Sequence, residues 1–133
     1  MRDYPPPMAC RITELVLDAR DPEALAAWWC AVLDYRVVGR EDDGSVEIGS
    51  GDPRQPTIVI GAGAGPKREK LRLHLDVRAT DREPGAELGR LLELGAEPAD
   101  VGQTGDEDWT VLSDPEGNEF CLLGSRVEPL PAG

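Results

Sequence analysis

Hydrophobic and polar residues alternate along two stretches whose corresponding positions lie sixty residues apart. From 71 to 77 every odd position is apolar and every even position is polar or charged, which is the pattern of a strand with one buried face. From 11 to 18 the same period of two separates Glu14 from Leu15 and Leu17. Each stretch is therefore predicted to be a strand, with His74 and Glu14 on the faces that point away from the core.

A helix is predicted after each of these strands. Asp21-Pro22-Glu23 supplies a capping acceptor, a proline at the first helical position and a carboxylate at the positive end of the helix dipole. The first helix is predicted to run to about Leu33, because apolar residues then share one stripe: Leu25, Trp28, Trp29 and Val32. A second helix is predicted from near Pro84 to a stop at Gly95.

Three short strands are predicted after each helix. Apolar runs mark them at 35–40, 45–49, 57–60, 96–99, 109–112 and 119–123. An Asp-Pro pair precedes the last strand of each set, at Asp52 and at Asp114. The chain therefore contains two copies of one unit made of a strand, a helix and three strands.

Proline and glycine indicate the boundaries of these copies. Residues 1–9 are proline-rich and are predicted to be a flexible arm. The first βαβββ module is predicted at 10–61, a glycine-rich linker at 62–69, the second module at 70–124 and a tail at 125–133. The predicted fold class is α+β, with a curved, mostly antiparallel sheet and the helices on its convex face.

Composition narrows the classes of partner. The net charge is −12, because 26 acidic residues outnumber 14 basic ones, and a nucleic-acid site needs clustered lysine and arginine. Nucleic acids and anionic membrane surfaces are therefore excluded. No apolar run has the length of a membrane span, and the N-terminal residues lack the hydrophobic stretch of a secretion signal. Three cysteines without a Cys-x-x-Cys pair indicate free thiols, so we expect a cytosolic protein.

Three stretches together resemble one superfamily. They are 14–33 with its Asp21-Pro22 and Trp28-Trp29, the strand at His74, and the closing segment that runs from Asp114 through Pro115, Glu116, Gly117, Asn118 and Glu119 to Phe120. In these features the chain resembles the vicinal oxygen chelate superfamily, and its closing motif is similar to the small bacterial glyoxalase-like branch. That superfamily contains glyoxalase I, bleomycin resistance proteins, fosfomycin resistance enzymes and extradiol dioxygenases. The resemblance implies a small-molecule cleft and a homodimer.

The resemblance also implies where a metal would bind, since the family takes ligands from the first and last strands of each module. The first-strand positions are Glu14 and His74, which suit zinc, iron, manganese or nickel. The last-strand positions fall at or near Val59 and at Cys121, where the family's metal enzymes usually have a carboxylate or another donor. Two ligands hold a metal less firmly than three or four, and Cys121 is interpreted as a small buried hydrophobic residue. A metal-free pocket is therefore predicted.

Five residues are predicted to serve the cleft. Glu14 and His74 are expected to point into one common hollow, as metal ligands or as an acid and a base. Arg72, Trp109 and Cys121 are the predicted ligand-binding residues. Arg72 has the alternative role of balancing nearby acids, and Trp109 that of anchoring its hairpin.

Three functions stay open at this stage, so enzyme activity is undecided. The first is a binding or sequestration protein for a small organic molecule, with a cationic ligand favoured by the acidic surface. The second is a lyase, isomerase or dioxygenase that uses Glu14 and His74, with or without a divalent metal. The third is a dimeric domain that binds other proteins through exposed sheet edges.

Overall fold

The computed structural model describes residues 9–67, 69–100, 102–103 and 108–131. The first module consists of β1 (Glu14–Asp18), α1 (Pro22–Leu33), β2 (Arg36–Arg40), β3 (Val46–Gly49) and β4 (Thr57–Gly61). The second consists of β5 (Leu75–Val77), α2 (Pro84–Glu93), β6 (Glu97–Pro98), β7 (Trp109–Ser113) and β8 (Glu119–Leu123). The predicted α+β fold of two βαβββ modules is thus confirmed. Except for Ala9, the predicted arm lies outside the described residues.

The eight strands form two four-stranded sheets of matching topology. Their orders are β1-β4-β3-β2 and β5-β8-β7-β6, and in each sheet the first strand runs parallel to the last while the other pairs are antiparallel. Leu15 pairs with Ile58 as Leu75 pairs with Phe120. Asp76 and Cys121 of the second module therefore occupy the places that valines hold in the first, at positions 16 and 59.

One hydrophobic core joins the two modules. Trp28 and Trp29 of α1 contact Phe120 of β8 edge to face, with ring centroids 5.8 and 5.1 Å away. Arg90 of α2 donates to two backbone carbonyls at the end of α1, those of Ala31 and Val32, at 3.0 Å each. The core takes side chains from both helices and from one face of each sheet. The other face of each sheet, called its open face here, carries a cavity. Neither described helix has the length and hydropathy that crossing a bilayer requires.

The strand predicted at 71–77 is shorter than its alternation indicates. β5 begins only at Leu75, and its ladder partners in β8 begin at Phe120. The backbone N–H of Leu71 donates instead to the Glu119 carboxylate at 3.2 Å, and the Lys67 ammonium donates to the same group at 2.6 Å. Hydrogen bonds to the Glu119 side chain, and not ladder hydrogen bonds, therefore hold the segment that precedes β5.

Glu116 links the closing turn to the start of α1. Its carboxylate accepts the backbone N–H groups of Arg20 and Asp21 at 3.2 and 3.0 Å, and the Arg20 guanidinium at 3.2 Å. Burial opposes ionisation of Glu116, but these donors outweigh it and hold its pKa below the ordinary value.

The hydrogen bonds to the Glu116 carboxylate predict a loss of stability in acid. Because the pKa of Glu116 is lowered by folding, its contribution is complete above the ordinary pKa of 4.5 and disappears as pH falls through the lowered value. Glu116→Gln is expected to cost about 1–2 kcal/mol at neutral pH and much less in acid. Urea unfolding of both proteins across this pH range measures the difference. If the difference in free energy of unfolding between wild type and Glu116→Gln does not change with pH, Glu116 does not stabilise the fold through its ionised form.

Candidate ligand and metal site

The second module carries a cavity of about 470 Å³ on its open face. Strand alternation creates its wall, because Phe120 and Leu122 of β8 point into the core while Cys121 points the other way. The lining residues are Lys70, Leu71, His74, Asp76, Gly102, Gln103, Trp109, Val111, Glu119, Cys121 and Leu123. The cavity therefore combines an apolar wall with a small group of ionisable side chains.

Three of those ionisable groups converge. His74 Nε2 lies 3.2 Å from Asp76 Oδ1, and the potential ligand atoms of His74, Asp76 and Cys121 all lie within 4.8 Å of one another. Asp76 and Cys121 are ladder partners on adjacent parallel strands, so their side chains share a face. His74 lies just before β5, and its contact with Asp76 places its side chain on the same side of the sheet.

The Cys121 thiol is held in its protonated form. Its side chain is only 7% exposed, and burial raises its pKa, with further increases from the negative charge of Asp76 and from the hydrogen bond to that carboxylate. Without an ion or another electrophile, this sulfur is a weak nucleophile. It acts here as a donor toward Asp76.

Among the described residues Asp76 pairs with His74 and with no lysine or arginine, although Lys70 lines the same cavity. Glu119, the other lining acid, is paired with Lys67 at 2.6 Å, whereas the described ion pair of Asp76 is with His74 alone. Its side chain is 48% exposed. Trp109 lines the same cavity and is 46% exposed. A carboxylate and an indole ring therefore both line this cavity.

The predicted site residues do not all meet. His74, Trp109 and Cys121 line this cavity together, whereas Glu14 lines a separate depression on the open face of the first module. Arg72 is exposed and lines neither of these two cavities. Because the modules have the same topology, each presents its equivalent position to its own open face.

Asp76 is the functional candidate that was not assigned from the sequence. Its signal was present, since it lies two residues after His74 in an alternating segment and therefore on the same face. What the alternation does not show is that Cys121, forty-five residues later, is its partner across the ladder.

The chemistry of this donor set distinguishes between metal ions. An imidazole nitrogen, a carboxylate oxygen and a thiolate sulfur suit zinc and similar borderline-soft ions, whereas manganese and magnesium prefer oxygen. The corresponding positions of the first module, Val16 and Val59, cannot ligate. The described residues thus fit a divalent ion in the second module.

Comparison with known proteins gives one family and a set of similar structures. A family model described as a glyoxalase-like domain matches residues 14–123, and no curated protein matches the chain. The fosfomycin resistance protein FosX from Mesorhizobium loti is 18% identical with a TM-score of 0.66, over 89% of this chain and 94% of that one.

Two further structures share the fold. A mutant of FosX from Listeria monocytogenes, solved with Mn(II) and 1S,2S-dihydroxypropylphosphonic acid, is 16% identical with a TM-score of 0.68, over 89% of this chain and 92% of that one. A glyoxalase/bleomycin resistance/dioxygenase family enzyme from Burkholderia phytofirmans PsJN is 17% identical with a TM-score of 0.62, over 86% and 98%. At these identities the similarity establishes the fold and not the ligand.

Proposed function

The chain belongs to the glyoxalase-like domain family of the vicinal oxygen chelate superfamily, and we propose that it binds and sequesters a small organic cation. The observation that carries the proposal is Asp76, whose described ion pair is with His74 and not with a lysine or arginine, in a cavity that Trp109 also lines. Lys70, the lysine of this cavity, is exposed to solvent. An organic cation satisfies both groups, since it pairs with a carboxylate and is attracted to the face of an indole ring. The net charge of −12 raises the local concentration of cations.

Size and lining support the same class of ligand. A volume of about 470 Å³ falls within the range of about 300–1,000 Å³ that small-molecule sites occupy. Leu71, Val111 and Leu123 supply apolar surface beside the charged groups. The proposed ligand therefore has an apolar or aromatic body and one positive charge.

A charge-matched binding series tests this proposal. Aromatic ammonium compounds and their neutral isosteres are titrated calorimetrically against the full chain. Asp76→Asn is expected to weaken the binding of the cations about tenfold, or about 1.4 kcal/mol. The binding of the neutral isosteres is expected to stay unchanged. Glu14→Gln is the matched control, because it removes one negative charge outside this cavity. Equal binding of cations and isosteres, or an equal loss with Glu14→Gln, would overturn the proposal.

The second candidate function is a metal-dependent lyase, isomerase or dioxygenase. The convergence of His74, Asp76 and Cys121 favours it. A divalent ion held there would polarise an oxygen atom of a bound substrate. In a metal-free version of this function, His74, whose side chain is 43% exposed, is instead the proposed acid or base, with Glu14 as its partner if the two meet.

We also propose that the protein is a cytosolic homodimer. Ile12, Val16 and Leu73 are large apolar side chains that are more than half exposed, and an apolar surface of this kind favours association. The free thiols at Cys10, Cys30 and Cys121 suit a reducing compartment. Analytical ultracentrifugation of wild type and Val16→Glu tests the dimer, which is expected to dissociate in the variant.

A further inference from the structure

The two modules are unequal in a way that concerns metal binding. At three corresponding positions the second module has His74, Asp76 and Cys121, whereas the first has Glu14 and two valines. We infer that His74, Asp76 and Cys121 form a self-contained site for a thiophilic divalent ion such as Zn²⁺, without Glu14. The inference shares the cavity of the proposed function but does not rest on its organic ligand.

The geometry brings the donors to within a small adjustment of coordination. Zinc binds nitrogen and oxygen at about 2.0–2.2 Å and sulfur at about 2.3 Å, so ligand atoms around one ion lie roughly 3–4 Å apart. The distance from His74 Nε2 to Asp76 Oδ1 is already 3.2 Å, and no pair in the group exceeds 4.8 Å. The ladder between β5 and β8 places Asp76 and Cys121 opposite each other, so we expect side-chain rotation to bring the three ligand atoms to coordinating distance.

Exposure indicates what kind of site this is. Cys121 lies at the floor with 7% exposure, while His74 and Asp76 are partly exposed above it. Three protein ligands with one side open to a cavity resemble zinc sites that keep a position for water or another small ligand. The sulfur donor selects against Mn²⁺, which prefers oxygen ligands.

Asp76 makes the two proposals distinguishable. An ion bound to its carboxylate neutralises the charge that an organic cation would need, so Zn²⁺ and the cation are expected to exclude each other. Failure of zinc binding with intact cation binding would reject only the metal site. Failure of cation binding with intact zinc binding would reject only the proposed sequestration function.

Cobalt substitution of the full chain gives a readout that is independent of activity. Co²⁺ bound to a cysteine produces a thiolate-to-metal charge-transfer band in the near ultraviolet. We expect the band in wild type, in Glu14→Gln and in Cys10→Ser, and its loss in Cys121→Val. Valine is chosen because Val59 occupies the corresponding position of the first module, so the fold accommodates it. Cys121→Ser is the second variant.

Equilibrium dialysis then measures stoichiometry and selectivity. We expect one Zn²⁺ per chain, a loss of affinity of about tenfold or more for His74→Gln and Asp76→Asn, and no displacement by equimolar Mn²⁺. The site is overturned if the cobalt band survives in Cys121→Val and Cys121→Ser, or if Mn²⁺ displaces Zn²⁺. A loss of zinc with Glu14→Gln would overturn its confinement to the second module.

Discussion

Replacing Asp114 with alanine is expected to destabilise the folded chain by about 3–5 kcal/mol. Asp114 is 4% exposed, and its carboxylate accepts five hydrogen bonds from described residues. The donors are Trp29 Nε1 at 3.0 Å, the backbone N–H of Glu116 at 2.9 Å, the backbone N–H of Asn118 at 3.0 Å and Asn118 Nδ2 at 2.9 and 3.1 Å. Alanine leaves those donors without an acceptor in the interior, which is the costly side of a broken buried bond.

The internal repeat supplies a matched control for this substitution. Asp52 occupies the corresponding turn of the first module, but among the described residues its carboxylate accepts from Arg54 alone, whose side chain is 76% exposed. Asp52→Ala is therefore expected to destabilise the chain clearly less than Asp114→Ala. Urea unfolding of both variants measures the difference. Equal losses would show that the closing turn has no special part in stability.

The contrast between these two turns shows what the sequence could reveal. Both Asp-Pro pairs were recognisable as turn formers, because turn chemistry is local. The bond from Trp29 to Asp114 joins residues eighty-five positions apart and exists only because α1 packs on the second module. Local signals of this kind also placed α1 correctly, where Asp21 caps the first turn and Asp34 ends the helix with a φ of 56°.

The candidate site was predictable in part for the same reason. Alternation placed His74 away from the core, and the internal repeat identified Glu14 as its counterpart. Neither signal contains the orientation of one module relative to the other, so the sequence did not show that these residues line different cavities. The partnership of Asp76 and Cys121 depends on a parallel ladder between distant strands, and register of that kind has no local signature.

Phe120→Ala is expected to cost about 3–5 kcal/mol and to weaken both modules together. Phe120 is 1% exposed and belongs to β8, yet its ring packs edge to face on Trp28 and Trp29 of α1. Removing it opens a void where the two modules meet, and a void in this place loosens the packing on both sides. Phe120→Leu, which keeps most of the volume, is expected to cost about 1.5 kcal/mol or less.

The way the variant unfolds tests whether the modules share one core. In a Trp109→Phe background, indole fluorescence comes only from Trp28 and Trp29 of the first module, while far-ultraviolet circular dichroism reports on both helices. Bonds that cross between modules, such as Trp28 Nε1 to the Leu94 carbonyl at 2.8 Å, predict coincident urea transitions with a lower midpoint in Phe120→Ala. If the fluorescence and circular dichroism transitions have different midpoints, and Phe120→Ala does not change the fluorescence midpoint, each βαβββ module unfolds alone.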